Sequence, residues 1–159
     1  MKITLMVIGK NKENYITEGV RDYLKRMNKY ISFHFREIPG IKSTKKYSVE
    51  EIKHREGEVI LKHIPTNATL ILLDERGKLM SSDDFAAWLK KHMIQSTQHL
   101  IFLVGGAYGF SSRVYDKAAA KLSVSPMTFS HQVIRLMFME QIYRAFTIIQ
   151  GEPYHHGNH

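Results

Sequence analysis

The chain contains no cysteine and no long apolar run, and both absences narrow what it can be. Without thiols it can form neither a disulfide nor a thiolate metal site. Its apolar runs fall well short of the roughly 20 residues that cross a bilayer, and the short apolar start, residues 1–10, is typical of a first strand rather than of a signal peptide. We therefore expect a cytoplasmic protein without membrane contact.

Acidic residues are also scarce relative to basic ones. The chain carries 15 Asp and Glu against 23 Lys and Arg, so the formal net charge is +8. That excess favours a polyanionic partner, with nucleic acid as the first candidate, although a merely soluble basic protein is the alternative. With 43% hydrophobic residues the composition is an ordinary globular one, and we expect a single domain over residues 1–159.

Apolar runs that predict buried strands alternate along the chain with amphipathic stretches that predict helices. Strict alternation of this kind favours an α/β fold with a mostly parallel sheet and helices on both faces. A long and largely apolar helix closes the order, which favours a subunit interface in a two-fold homodimer. The predicted strands are 3–8, 31–38, 68–73, 100–104 and 122–125, and the last helix is 131–149.

The strand at 100–104 ends at a turn that contains Gly105, Gly106 and Gly109. A strand that is apolar on both faces predicts a central position in a parallel sheet, and ligands of such sheets bind beyond the carboxyl ends of the strands. Glycine lets the backbone approach a ligand closely. The spacing matches neither a dinucleotide fingerprint nor a P-loop. The turn is therefore a candidate ligand site, and a tight turn without a ligand is the alternative. The strand at 68–73 is likewise predicted to end in a polar turn, at 74–77.

Charged residues interrupt the apolar last helix. Arg135 and Arg144 lie nine positions apart and can share one face. Buried or interfacial arginines need partners, and Glu140 is the predicted local one. Two interpretations stay open: an Arg–Glu network that fixes a dimer, or side chains that capture phosphate.

Metal and hydrolase chemistry have little support in the sequence. His155, His156 and His159 form a terminal cluster, which is more typical of a surface than of a metal site. The chain has no inward-facing carboxylate–histidine pair at a helical metal spacing and no G-x-S-x-G motif. We therefore expect no metal.

Four segments in a fixed order resemble the ribosomal large-subunit methyltransferase H family, of the SPOUT class: LILLDERG, LIFLVGGAYGFS, LSVSPMTFSHQVIRLMFMEQIYRAF and PYHH. The resemblance covers essentially the whole chain. It implies an α/β fold whose C-terminal segment forms a deep trefoil knot, and a homodimer that binds S-adenosylmethionine in that knot. It further implies methylation of N3 of a pseudouridine in 23S rRNA on the assembled ribosome, a reaction that needs no metal.

The same resemblance implies a cofactor pocket with three walls. The first is the end of the third predicted strand, the second is the glycine turn, and the third is the segment that precedes the last helix. The residues assigned to these walls are Leu72, Leu73, Asp74, Gly105, Gly106, Ser125, Pro126, Met127, Thr128, Phe129 and Ser130.

Polar positions on the last helix and the tail are implied to line the RNA side of this pocket. Tyr154 and His155 would reach the site of the partner subunit. The proton on N3 must leave, and His131, His155 or water can accept it. Arg135 and Arg144 would position phosphate or base. The residues so assigned are His131, Arg135, Tyr143, Arg144, Tyr154 and His155.

Two other functions compete with this one. A ribosome- or RNA-binding module without activity would explain the positive charge equally well. A small-molecule α/β enzyme, with an incidental charge, would use the same glycine turn. A binding module would incorporate no methyl group into RNA, which distinguishes it from a methyltransferase. A small-molecule enzyme would have no affinity for ribosomes.

Overall fold

The computed structural model describes residues 1–42 and 45–156, and in them strands and helices alternate strictly. Ser43 and Thr44 of the loop before the second helix, and His159 of the predicted histidine cluster, lie outside the described residues. The elements are β1 (Lys2–Ile8), α1 (Asn14–Met27), β2 (Ser32–Ile38), α2 (Val49–Lys62), β3 (Ala68–Leu79), α3 (Ser82–Ile94), β4 (His99–Val104), α4 (Ser112–Lys117), β5 (Ala120–Ser123) and α5 (Val133–Ile149).

The described strands form one sheet in the order β2-β1-β4-β3-β5, and every paired neighbour runs parallel. The apolar strand β4 lies in the centre, as its sequence predicts, and the alternating strand β2 lies at an edge. The α/β prediction is therefore confirmed. The trefoil knot and the single domain over 1–159 stay predictions. None of the described helices is long and apolar enough to span a membrane.

Side chains that alternate along the strands fill two cores, one on each face of the sheet. Phe102 of β4 points to the first core, where its ring centroid lies 4.7 Å from that of Phe138 of α5. Leu103, the next residue, points to the second core, beside Ile60 of α2 and Val114 of α4. Each fully buried side chain of this size contributes about 1.5–3 kcal/mol to folding. Helices therefore cover both faces, as predicted.

Serine side chains fix the beginnings of three helices. Ser48 accepts a hydrogen bond from the amide of Glu51 at 3.2 Å, and Ser81 accepts one from the amide of Asp84 at 3.1 Å. Ser111 caps α4 in the same way. Such a cap stabilises a helix by roughly 1 kcal/mol because it satisfies an amide that has no partner within the helix.

Strand β3 is longer than its sequence predicts. The predicted polar turn at 74–77 interrupts the strand instead of ending it, because Leu73 and Lys78 both pair with Leu122 of β5. Gly77 permits the interruption, since a Cβ there would lie 2.6 Å from the backbone nitrogen of Leu122. The polar residues consequently protrude from the pairing with β5 while β3 continues to Leu79.

Candidate functional site

A cavity of about 540 Å³ opens at the carboxyl ends of β4 and β5 and beside the interruption of β3. Residues 73–76 form one wall, and 104–110 form a second. The third comes from the segment between β5 and α5, including 127–131. The fold thus brings the three predicted walls together, while the binding of a cofactor there stays a prediction.

Two of the predicted wall residues do not line the cavity. Leu72 is completely buried and packs in the second core, beneath α2 and α4. Adjacent strand residues face opposite sides of a sheet, so Leu72 points away when Leu73 points to the cavity. Pro126 is exposed and lies outside the lining. The predicted residues that do line it are Leu73, Asp74, Gly105, Gly106, Ser125, Met127, Thr128, Phe129 and Ser130.

The glycine turn is tightly enclosed by its own neighbours. A Cβ on Gly105 would lie 2.8 Å from the ring of Phe110. Gly109 has a φ of +84°, which favours glycine, and its amide donates to the carbonyl of Gly106 at 3.3 Å. At its glycines the turn therefore presents backbone to the cavity, beside the side chains of Ala107 and Tyr108.

Glu56 of α2 supports this turn from behind, and the sequence interpretation missed it. It is only 8% exposed, and its Oε1 accepts a hydrogen bond from the amide of Gly106 at 3.2 Å. Burial raises the pKa of Glu56, although the hydrogen bond from Gly106 opposes that shift. A signal was present, because Glu56 lies four residues from Ile52 and from Ile60, on the buried stripe of α2.

The protruding part of β3 is held by side chains from two sides. The hydroxyl of Tyr115 donates to Asp74 Oδ2, while Asp74 Oδ1 accepts from the amide of Arg76 at 3.0 Å. Burial, with Asp74 adding to it, raises the pKa of Tyr115 to about 12, so the phenol keeps its proton. Thr128 donates to Glu75 Oε2 at 3.3 Å. These contacts join the first wall to the third.

His131 lies at the cavity, just before α5. Burial lowers its pKa, and the nearby positive charges of Arg135 and Lys12 lower it further. The imidazole is therefore biased towards its neutral form, which can accept a proton.

Arg135 does not lie where the sequence interpretation placed it. It is fully buried, and its Nη2 donates to the carbonyl of Ile8 at 2.6 Å while Nη1 donates to the carbonyl of Gly9 at 2.9 Å. Asn11 and His131 accept its remaining hydrogen bonds. The predicted pairing of Arg135 with Glu140 is wrong, and with no exposed surface Arg135 does not face RNA in this fold. It joins the end of β1 to the start of α5.

Arg144, in contrast, does pair with Glu140, as predicted. Its Nη2 donates to Glu140 Oε1 at 2.6 Å, and its Nη1 donates to His155 Nδ1 at 3.2 Å. The hydroxyl of Tyr154 donates to the same Glu140 oxygen at 3.1 Å, and the guanidinium lies 4.9 Å from the centre of the Tyr154 ring. Hydrogen bonding to Glu140 raises the pKa of Arg144. We call Glu140, Arg144, Tyr154 and His155 the tail cluster.

The cavity and the tail cluster lie at opposite ends of α5. Roughly 16 Å of helix separates Val133 from Arg144 at 1.5 Å per residue. Within one chain the structure therefore places His131 at the cavity and leaves Arg144, Tyr154 and His155 away from it. Among residues 1–42 and 45–156, no group of three or more His, Cys, Asp or Glu side chains is arranged to hold a metal ion, and the absence of a metal stays a prediction.

The sequence of this chain is similar to those of known methyltransferases. The family described as "Predicted SPOUT methyltransferase" matches residues 1–155. A protein of Parabacteroides distasonis named "Ribosomal RNA large subunit methyltransferase H" is 50% identical over 156 residues, which are 98% of this chain and 99% of that protein. Proteins with the same name from Bacteroides fragilis and Flavobacterium johnsoniae are 48% and 47% identical, with the same coverage.

Proposed function

This chain belongs to the SPOUT methyltransferase family, and on that basis we propose that it transfers a methyl group from S-adenosylmethionine to ribosomal RNA of the large subunit. The observation that carries the proposal is the cavity at the strand ends, where a glycine turn and an irregular segment expose backbone groups. The net charge of +8 suits an RNA substrate, because RNA attracts basic proteins through its phosphates. Activity on ribosomes implies a cytoplasmic protein.

The residues at the cavity fit S-adenosylmethionine. Its volume of about 540 Å³ is in the range of small-molecule pockets. Gly105 and Gly106 lack the Cβ atoms that would collide with Phe110 and Glu56, so their backbone can keep the turn that lines the cavity, where adenine and ribose could approach it. The turn provides no phosphate cradle, and this cofactor carries no phosphate. We expect Leu73, the glycine turn and the segment 125–130 to hold it.

When bound, S-adenosylmethionine supplies a methyl group that is already activated on a sulfonium. The protein's own residues then have to align the nucleophile and accept its proton. We assign the proton to His131, because it lies at the cavity and its lowered pKa favours the neutral imidazole. We further propose that the nucleophile is N3 of a pseudouridine in 23S rRNA, as the resemblance of the sequence implies.

We also propose that the active form is a homodimer in which the tail cluster of one subunit reaches the cavity of its partner. Two observations support this. Within one chain the tail cluster lies at the far end of α5 from the cavity, and Met137 on that helix is an apolar side chain with 36% of its surface exposed. An exposed apolar side chain on a helix suits an isologous interface.

The first experiment is calorimetry with S-adenosylmethionine and no added metal. We expect binding, and a purified protein that does not bind the cofactor would refute the proposal. Incubation with labelled cofactor and ribosomes from a strain that lacks this protein should then label 23S rRNA, and mass spectrometry should locate the methyl on N3 of a pseudouridine. Ribosome binding with a steep salt dependence and no methylated product would favour a binding module instead.

A mixed-dimer experiment tests the shared site. The variants His131→Gln and Arg144→Ala are each expected to lose most activity, since each removes one half of every site. Dissociated and reassociated together in equal amounts, they should recover about a quarter of the wild-type rate, because half the dimers are mixed and each mixed dimer has one intact site. No recovery from a confirmed mixed dimer would contradict a site built from two subunits.

A further inference from the structure

Glu56 is a buried carboxylate that none of the steps above uses. It is 8% exposed, and its one hydrogen bond within residues 1–42 and 45–156 is the contact of 3.2 Å from the amide of Gly106. Burying a carboxylate is unfavourable unless it gains polar contacts. Ile52 and Ile60 lie one helical turn before and after Glu56. Both are apolar, so this stripe of α2 otherwise carries apolar residues. An acidic residue here therefore needs a reason other than packing.

The geometry shows what the carboxylate does for the turn. A Cβ on Gly106 would lie 2.6 Å from Glu56 Oε1 and 2.8 Å from Oε2, so the backbone of Gly106 lies directly against the carboxylate. The following residue, Gly57, packs its backbone just as closely against Ser111, the cap of α4. Consecutive residues of α2 thus contact both ends of the segment 105–111.

Helix α2 also reaches the cavity itself, because Lys53, one turn before Glu56, belongs to its lining. Among the hydrogen bonds of the described residues, only the one to Glu56 joins the turn at 105–109 to a buried side chain. The 3.3 Å bond from the amide of Gly109 to the carbonyl of Gly106 lies within the turn itself. The orientation of the Gly106 peptide, and with it one wall of the cavity, depends on the Glu56 carboxylate.

We propose, on the premise that this turn binds S-adenosylmethionine as set out above, that Glu56 is a positioning residue for the cofactor. Its carboxylate oxygen accepts the Gly106 amide and holds the turn at 105–109 in the shape that leaves the cavity open. It touches neither cofactor nor RNA. Its effect belongs in cofactor affinity rather than in the rate of methyl transfer at saturating cofactor.

The test compares three variants by calorimetry with S-adenosylmethionine. Glu56→Ala removes the acceptor and should weaken binding roughly tenfold, the effect of losing one hydrogen bond to a charged group. Glu56→Gln keeps a carbonyl oxygen at the same distance and should stay within about threefold of wild type. Glu58→Ala is the matched control, because Glu58 lies on the same helix but pairs with Arg113 at the surface. The affinity of this variant for S-adenosylmethionine should not change.

Kinetics and NMR separate positioning from general stability. We expect Glu56→Ala to raise the KM for the cofactor and leave kcat nearly unchanged, and to shift the Gly106 amide proton in the protein without ligand. If Glu56→Ala does not fold, Glu56→Asp replaces it, since a shorter side chain keeps the charge but withdraws the acceptor.

Two results would overturn the proposal: wild-type affinity in the folded Ala or Asp variant, or a loss in Glu56→Gln as large as in Glu56→Ala. Failure of the wild-type protein to bind S-adenosylmethionine would refute the proposed function instead. The Gly106 amide shift in the unliganded variants would still test the contact with Glu56, and an unshifted amide would refute it.

Discussion

The two ends of α5 carry arginines in very different surroundings. Arg135, near the cavity, is fully buried and donates to the backbone carbonyls of Ile8 and Gly9. Arg144, in the tail cluster, keeps 25% of its side chain exposed and pairs with a carboxylate. The donors of Arg135 also reach the carbonyl of His131 and the side chain of Asn11. Arg144, in contrast, is held by the side chains of Glu140 and His155.

This difference separates a structural arginine from a candidate functional one. Both residues have the chemistry that binds phosphate. Only Arg144 has surface that a ligand could contact. The same helix therefore stabilises the fold at its first turns and presents polar groups at its last turns, and substitutions at the two ends should have different effects.

Arg135→Ala should have the largest effect, and it should be on stability. The substitution leaves the carbonyl of the buried Ile8 and that of the half-buried Gly9 without the Arg135 donors. We expect a loss of about 3 kcal/mol or more in the free energy of unfolding, measured by urea denaturation. Arg144→Ala is the matched control and should lose about 1 kcal/mol, because its ion pair is partly exposed. Equal losses of unfolding free energy in the two variants would contradict the distinction between a structural and a functional arginine.

Gly106→Val should have the next largest effect, confined to the cavity end. A side chain at this position would collide with the Glu56 carboxylate and displace the turn. We expect a folded protein whose affinity for S-adenosylmethionine is at least about 100-fold weaker, a loss near 2.7 kcal/mol. Calorimetry measures the affinity and circular dichroism checks the fold. Normal cofactor binding by this variant would show that the glycine turn is not part of the site.

Arg144→Ala should act on methyl transfer more than on cofactor binding. The tail cluster lies away from the cavity within one chain, so its loss should lower the rate of methylation about tenfold while the affinity for S-adenosylmethionine stays within about twofold. Labelled methyl incorporation into ribosomes measures the first and calorimetry the second. A loss of cofactor binding equal to that of Gly106→Val would contradict the division between the two ends.

The smallest expected effect is a pH dependence of stability at the cavity end. Burial holds the pKa of His131 below its ordinary 6.5 in the folded protein. As the pH falls, His131 is therefore protonated in the unfolded chain before it is protonated in the folded protein. Its contribution to the free energy of unfolding is complete above about pH 6.5 and declines as the pH falls below that value. Urea midpoints between about pH 5 and about pH 8 should fall less steeply for His131→Gln than for wild type, with the exposed His156→Gln as control.

Local patterns predicted the elements well because they depend on neighbours in sequence. The apolar run of β4, for example, is visible within a few residues of sequence. The resemblance to the methyltransferase family implied the three walls, and the parallel sheet agrees with it because it brings the ends of neighbouring strands together. Alternation along β3 also separates Leu72 from Leu73, because adjacent residues of a strand face opposite sides of the sheet.

Contacts between distant residues could not be predicted in this way. Arg135 finds its acceptors 126 and 127 positions away, and the chain offered the nearer Glu140 as a more obvious partner. The bond from Gly106 to Glu56 spans 50 positions. The length of β3 depends on how β5 pairs with it on both sides of the interruption. In each case tertiary structure decided between partners that local sequence left equivalent.

The hydrogen bonds of Arg135 also determine at which stage of translation the protein can finish folding. The first strand emerges from the ribosome early, but the guanidinium that satisfies its end belongs to the last helix. A nascent chain that stops before α5 therefore has β1 without this partner and the first core without one of its covering helices. We expect such truncated chains to remain protease-sensitive until α5 has been added, so that folding finishes after translation has nearly ended.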